Sequence, residues 1–142
     1  MERIEQIIEE LSLEPLPKEG GYYRFISEFG DGAGIIYYLM TESSFSHLHM
    51  LSADEVWTFL DGDVAVQTIV YEAGNIEEIT LGPDNRTSIV RKGHYQATRI
   101  AEPQKGYSLF TTTMSPRYSD SMYTHGADVR EMREDPRLKE LI

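Results

Sequence analysis

The chain contains no cysteine. This rules out disulfides, thiolate metal ligands and thiol nucleophiles, and it fits a cytoplasmic setting. Basic residues are scarce as well. Thirteen Lys and Arg stand against 24 Asp and Glu, a formal net charge of −11. Such a surface repels phosphate backbones, so nucleic acid is not expected as a partner. No run approaches the roughly 18 consecutive apolar residues of a membrane span, and none is expected. The N-terminal stretch carries Glu2, Glu5, Glu9 and Glu10, the wrong charge for a signal or transit peptide. What is present is ordinary for a globular protein: 40% hydrophobic and 26% charged residues. The length predicts a single domain, residues 1–142, with a real core.

Residues 2–11 read as one amphipathic helix, because Met1, Ile4, Ile7, Ile8 and Leu11 recur at helical spacing. Its apolar stripe should cover a sheet or one end of a barrel. Pro15, Pro17, Gly20 and Gly21 stop helix from continuing. After them the chain reads as short strands: 22–28, 35–40, the segment around His47, 55–60, 64–70, 76–81, 87–90, 95–100 and 107–113. Turn residues such as Gly30-Asp31-Gly32, Asp61-Gly62-Asp63 and Gly82-Pro83-Asp84-Asn85 separate them. Strands repeating at this interval predict a sandwich or barrel rather than a parallel sheet. The tail, 129–142, is charged and helical in pattern, and Pro136 should divide it into two short pieces.

The chemistry concentrates between Phe45 and Gly62. His47 and His49 are two apart, which on a strand places them on one face. Glu55 opens the next apolar run and can return alongside them. Asp54 competes with it, but neighbours on a strand face opposite ways, so only one looks inward; Glu55 is chosen. Two imidazoles and a carboxylate suit a divalent transition metal. They suit proton transfer equally, and a hydrogen-bonded pair of histidines lining a strand is the plain alternative. Trp57 shares the parity of Glu55, with core packing as its simplest role. Gln96 can bind a metal weakly or hydrogen-bond a polar ligand, and the hydroxyl of Tyr38 can reach the same mouth. Arg24 suits either an anionic ligand or a surface carboxylate. His94, after a turn, and His125, in a loop, receive no role.

His47-X-His49, five residues, Glu55, six residues and Gly62 resemble the first motif of the cupin superfamily. Arg91-Lys92-Gly93-His94-Tyr95-Gln96 resembles the second, with Arg91 for its Pro and Gln96 for its His. More closely, the chain resembles the cupin 5 (DUF985) family. That likeness is carried by Gly20-Gly21-Tyr22-Tyr23-Arg24, Ile36-Tyr37-Tyr38-Leu39, Ser46-His47-Leu48-His49, Asp54-Glu55-Val56-Trp57, Leu81-Gly82-Pro83 and Gln96-Ala97. Leu16 departs from the His of the family's Pro-His-Pro-Glu-Gly-Gly segment, and Lys18 is extra.

The resemblance implies a mainly β, double-stranded β-helix or jelly roll, with the N-terminal helix and a short C-terminal helical tail outside it. It also implies a homodimer paired through N-terminal strands. The expected function is binding of a small molecule in the barrel mouth, as an enzyme acting on a small polar substrate, sugar-like or carboxylate. One version holds divalent Zn, Fe, Mn or Ni on His47, His49, Glu55 and Gln96. A metal-free, epimerase-like version uses His49 as base, Glu55 to orient it and Tyr38 as acid. A non-catalytic binding module is the third reading.

Overall fold

The computed structural model describes residues 2–142; Met1 of the helical stripe lies outside the described residues. Helix α1 (Glu2–Glu10) is followed by β1 (Glu14–Pro15), β2 (Tyr22–Phe29), β3 (Ala33–Thr41), β4 (Ser46–Leu51), β5 (Glu55–Gly62) and β6 (Ala65–Val70). Then come β7 (Ile76–Leu81), β8 (Thr87–Val90), β9 (Tyr95–Ile100), β10 (Tyr107–Met114), β11 (Tyr123–His125) and α2 (Arg130–Arg133). The strands form two antiparallel sheets, ordered β1-β2-β3-β10-β5-β8 and β11-β4-β9-β6-β7. This is the expected mainly β jelly roll, and no helix among the described residues is long and apolar enough to cross a membrane.

Alternation builds the interior. Along β5, Glu55, Trp57 and Phe59 are buried, while Val56, Thr58 and Leu60 are not. Trp57 and Phe59 join Tyr38, Met40, Ala65, Ile69, Leu81, Val90 and Phe110 in the cluster between the sheets. The helices cover the outer faces. Ile4, Ile7 and Ile8 of α1, with Leu11 just after it, lie on Leu39, Tyr107 and Leu109; fully burying a side chain such as Ile7 is worth about 1.5–3 kcal/mol. Beyond α2, the tail continues as a 3-10 segment, Pro136–Leu141, capped by the Asp135 side chain. Its Leu138 and Leu141 cover Leu48, Val70 and Ala97 of the second sheet. Pro136 begins the second piece because a proline tolerates a first helical position and no interior one.

Three details were not anticipated from sequence. Strand β1 is two residues long and pairs with Tyr22 and Tyr23. His125 lies in a short strand, β11, opposite His49, rather than in a loop. The pairing of β4 with β9 slips between Ser46 and His49, so strict alternation fails where the two histidines sit.

Candidate functional site

A cavity of about 600 Å3 opens at one end of the barrel. Its deep wall carries Glu55, Trp57, Tyr38 and Thr112, and Glu19 reaches it from the segment between β1 and β2. Glu55 arrives by the period-2 pattern of β5 and is 7% exposed. Its neighbour Asp54 faces outward and accepts the Lys92 backbone N–H at 2.8 Å.

Glu19 arrives differently. Its loop folds over β4, and its backbone carbonyl accepts both the His47 N–H and the His47 ring at Nδ1, each at 2.8 Å. The next carbonyl, that of Gly20, accepts the Tyr38 hydroxyl at 2.6 Å, and the Gly21 N–H donates to Ser44 Oγ at 2.9 Å. Two glycines are required here. Gly20 and Gly21 have φ +95° and +77°, and a Cβ would stand 2.2 Å from the Phe45 carbonyl oxygen and 2.3 Å from the Tyr38 hydroxyl respectively. The loop therefore presents the Glu19 carboxyl inward, where Ser46 Oγ donates to it at 2.8 Å.

The slip in β4 decides what each histidine does. Ser46 and His49, three apart, both approach the Glu19 carboxyl, His49 through Nε2 at 3.7 Å. His49 Nδ1 donates to the His47 carbonyl at 2.7 Å. That bond leaves Nε2 without a proton, as an acceptor, in the neutral ring. Burial depresses the His49 pKa below its ordinary 6.5, against the opposing pull of Glu55. His47 instead stacks on Phe45, ring centroids 4.0 Å apart, with Nδ1 on backbone oxygen.

Gln96 sits behind Glu55. Its Nε2 donates to Glu55 Oε1 at 3.1 Å, and its Oε1 accepts Trp57 Nε1 at 3.0 Å. The chain Trp57–Gln96–Glu55 is buried throughout. Burial raises both carboxyls from the ordinary 4.5 to about 7. For Glu55 the charge of Glu19 adds to the rise, and hydrogen bonds from Ser46 and Gln96 soften it at Glu19 and Glu55 respectively. Both groups therefore titrate around neutral pH, Glu55 under the influence of Glu19. Burial, reinforced by Glu19, drives the Tyr38 hydroxyl well above 10.

The structure thus brings Tyr38, His49 and Glu55 together and adds Glu19. It does not gather His47, His49, Glu55 and Gln96 into one ligand set. Among the described residues, no three His, Asp or Glu side chains are arranged to hold a metal ion. Gln96 already spends its amide oxygen on Trp57, while His47 donates Nδ1 to the Glu19 carbonyl and keeps Nε2 as an acceptor. As arranged, these side chains do not form a three- or four-ligand divalent centre among the described residues. The Tyr38 hydroxyl donates a hydrogen bond to the Gly20 carbonyl. Trp57, 1% exposed, both packs the core and lines the cavity. Arg24 is exposed on β2. The sequence signal for Glu19 is the carboxylate directly before Gly20-Gly21, in the stretch that stops the helix and resembles the family's Pro-His-Pro-Glu-Gly-Gly segment.

Several solved structures share the architecture. A hypothetical protein from Leishmania major superposes with a TM-score of 0.85 at 22% identity, over 96% of this chain and 97% of that one. A protein from Shewanella oneidensis gives 0.78 at 26% identity, over 85% and 82%. An oxalate decarboxylase from Bacillus subtilis gives 0.63 at 16% identity, over 89% of this chain and 33% of that one. These likenesses carry the fold. A search of the curated proteins finds no match. The family description "Cupin superfamily (DUF985)" matches residues 5–125, and with the jelly roll and its buried mouth residues in place, the chain belongs to the cupin 5 family of that superfamily.

Proposed function

We propose that this protein binds a small molecule in the barrel mouth and handles it through the Glu19–Glu55 carboxyl pair rather than through a metal. The observation that carries this reading is the placement of two carboxyls, Glu55 buried and Glu19 half-buried, on the wall of a cavity. A cavity of about 600 Å3 falls in the usual range for small-molecule sites. At neutral pH one carboxyl of the pair donates a proton while the other accepts, which is the division of labour acid–base chemistry needs. His49 Nε2 faces Glu19 and stabilises its protonated form as an acceptor. Gln96 orients Glu55, and Tyr38 and His47 anchor the loop that carries Glu19. In this reading the Gln at position 96 is a positioning group, which accounts for its double hydrogen bond.

The same reading includes a homodimer paired along β2. Strand β1 covers only Tyr22 and Tyr23 of that edge. Beyond them Phe25, Ile26 and Phe29 are 40%, 41% and 49% exposed, an open apolar edge of the kind that pairing removes.

Metal removal tests the central part. Dialysis against EDTA should leave the melting temperature unchanged, and calorimetric titration with Zn or Mn should show no saturable uptake. A melting temperature that falls on chelation and returns with one equivalent of metal would contradict the reading.

A further inference from the structure

We propose that the ligand of this cavity is a small organic cation: an amine or quaternary ammonium group on an apolar body, held between Glu19, Glu55 and the aromatic walls. The inference rests on the small-molecule reading above and names the ligand's charge and character.

Three observations converge on it. First, the deep carboxyls lack a counter-charge. Among the described residues no Lys or Arg pairs with Glu19 or Glu55, and the basic groups beside them are two imidazoles, His47 and the buried His49, whose pKa is depressed by burial. A buried carboxylate without a cation is costly, and a ligand cation would supply what the fold omits. The cations that do line the cavity, Lys18 and Arg117, are exposed. Arg117 is already engaged, 3.5 Å from Glu28 and 4.9 Å above the Phe25 ring.

Second, the walls are aromatic. Tyr23, Phe25, Tyr38, Trp57, Tyr118 and Tyr123 line the cavity, and Tyr38 meets Trp57 edge to face at 5.5 Å. Aromatic faces attract cations, most strongly when desolvated. Third, much of the remaining lining is aliphatic, with Leu16, Ile36, Leu51 and Met114 among it, and Thr112 and Asp120 add polar groups. A sugar would bury several of its hydroxyls against these aliphatic and aromatic walls with few partners. A carboxylate would meet two acidic groups. A metal ion would find no three-ligand set among the described residues.

The probe pair is choline and 3,3-dimethylbutan-1-ol, which have the same shape and differ in charge. Trp57 is the chain's one tryptophan, so its intrinsic fluorescence reports occupancy of this cavity. At pH 8 and constant ionic strength, choline should bind about 10-fold tighter than the neutral alcohol, an electrostatic and cation–π difference of ordinary size. In Glu55→Gln, and separately in Glu19→Gln, the ratio should fall to about 1 while each variant melts cooperatively. If the alcohol binds the parent as tightly as choline, the cation proposal fails and the small-molecule reading stands. If the two-probe ratio survives both substitutions, the charge preference does not come from these carboxyls and the proposal also fails. If neither probe changes Trp57 emission, the proposal and the occupancy of this cavity fail together.

Discussion

At the residue scale, Glu55 works against the stability of the protein that holds it. Its carboxyl and that of Glu19 sit at about 7 in the folded chain against an ordinary 4.5. Between those values the folded state binds more protons than the unfolded one. The stabilisation is therefore complete below about pH 4.5 and is lost as pH rises through 7. His49 has the opposite sign. Its depressed pKa gives stability that is present above 6.5 and is lost as pH falls. Two carboxyls outweigh one imidazole, so the melting temperature should fall between pH 6 and pH 8. Glu55→Gln keeps an acceptor for Gln96 and removes the buried charge. At pH 8 it should stabilise the protein by about 1–3 kcal/mol, and the pH 6 to 8 decline should shrink. Urea melts at the two pH values measure both effects. A variant less stable than the parent at pH 8 would show that the carboxyl is compensated by a group not identified here.

At the scale of the element, the loop from Leu16 to Gly21 is the part that makes a cavity into a site. It is held by backbone bonds from Leu16 to Gly21 and from Gly20 back to Leu16, and by His47 beneath it. Gly21→Ala would drive a Cβ against the Tyr38 hydroxyl, 2.3 Å away, at a φ of +77°. It should cost on the order of 2–4 kcal/mol and displace Glu19. Chemical denaturation gives the cost, and the amide shifts of Glu19 and His47 report the displacement. Gly74, whose Cβ position is open though its φ is also positive, is the control and should cost less. This loop also marks where the sequence stopped being readable. The main strands, the inward face of Glu55, Trp57 and Phe59, and the division of the tail at Pro136 all follow from local periodicity and turn chemistry. Glu19 does not, because its place depends on contacts with Ser46 and His47, about 27 residues later in the chain. Strands β1 and β11 have two and three residues, too few for any period to appear. The slip in β4 leaves no mark in composition, so His47-X-His49 read as one face when Ser46 and His49 are the residues whose side chains approach the Glu19 carboxyl.

At the scale of the whole molecule, α1 covers one outer face at Leu39, Tyr107 and Leu109, the C-terminal segment covers the other at Leu48, Val70 and Ala97, and part of β2 stays exposed. Phe29, 49% exposed near the end of that strand, is placed to be covered by a second copy. Light scattering at micromolar concentration should give twice 16.3 kDa, and Phe29→Asp should return a folded species of half that mass. A parent that stays monomeric through the concentration series would remove the dimer from the account. Because the cavity includes Phe25 of the same strand, the substitution should also weaken choline binding if pairing shapes the mouth.

The account rests on a carboxyl pair that keeps a proton at neutral pH. Carbon-13 NMR titration of the glutamate side-chain carboxyls, with Glu19→Gln and Glu55→Gln to assign the two resonances, measures this directly. Both should titrate around pH 7, and removing one should lower the midpoint of the other, since each raises its neighbour. Two independent midpoints near 4.5, unmoved by either substitution, would contradict it.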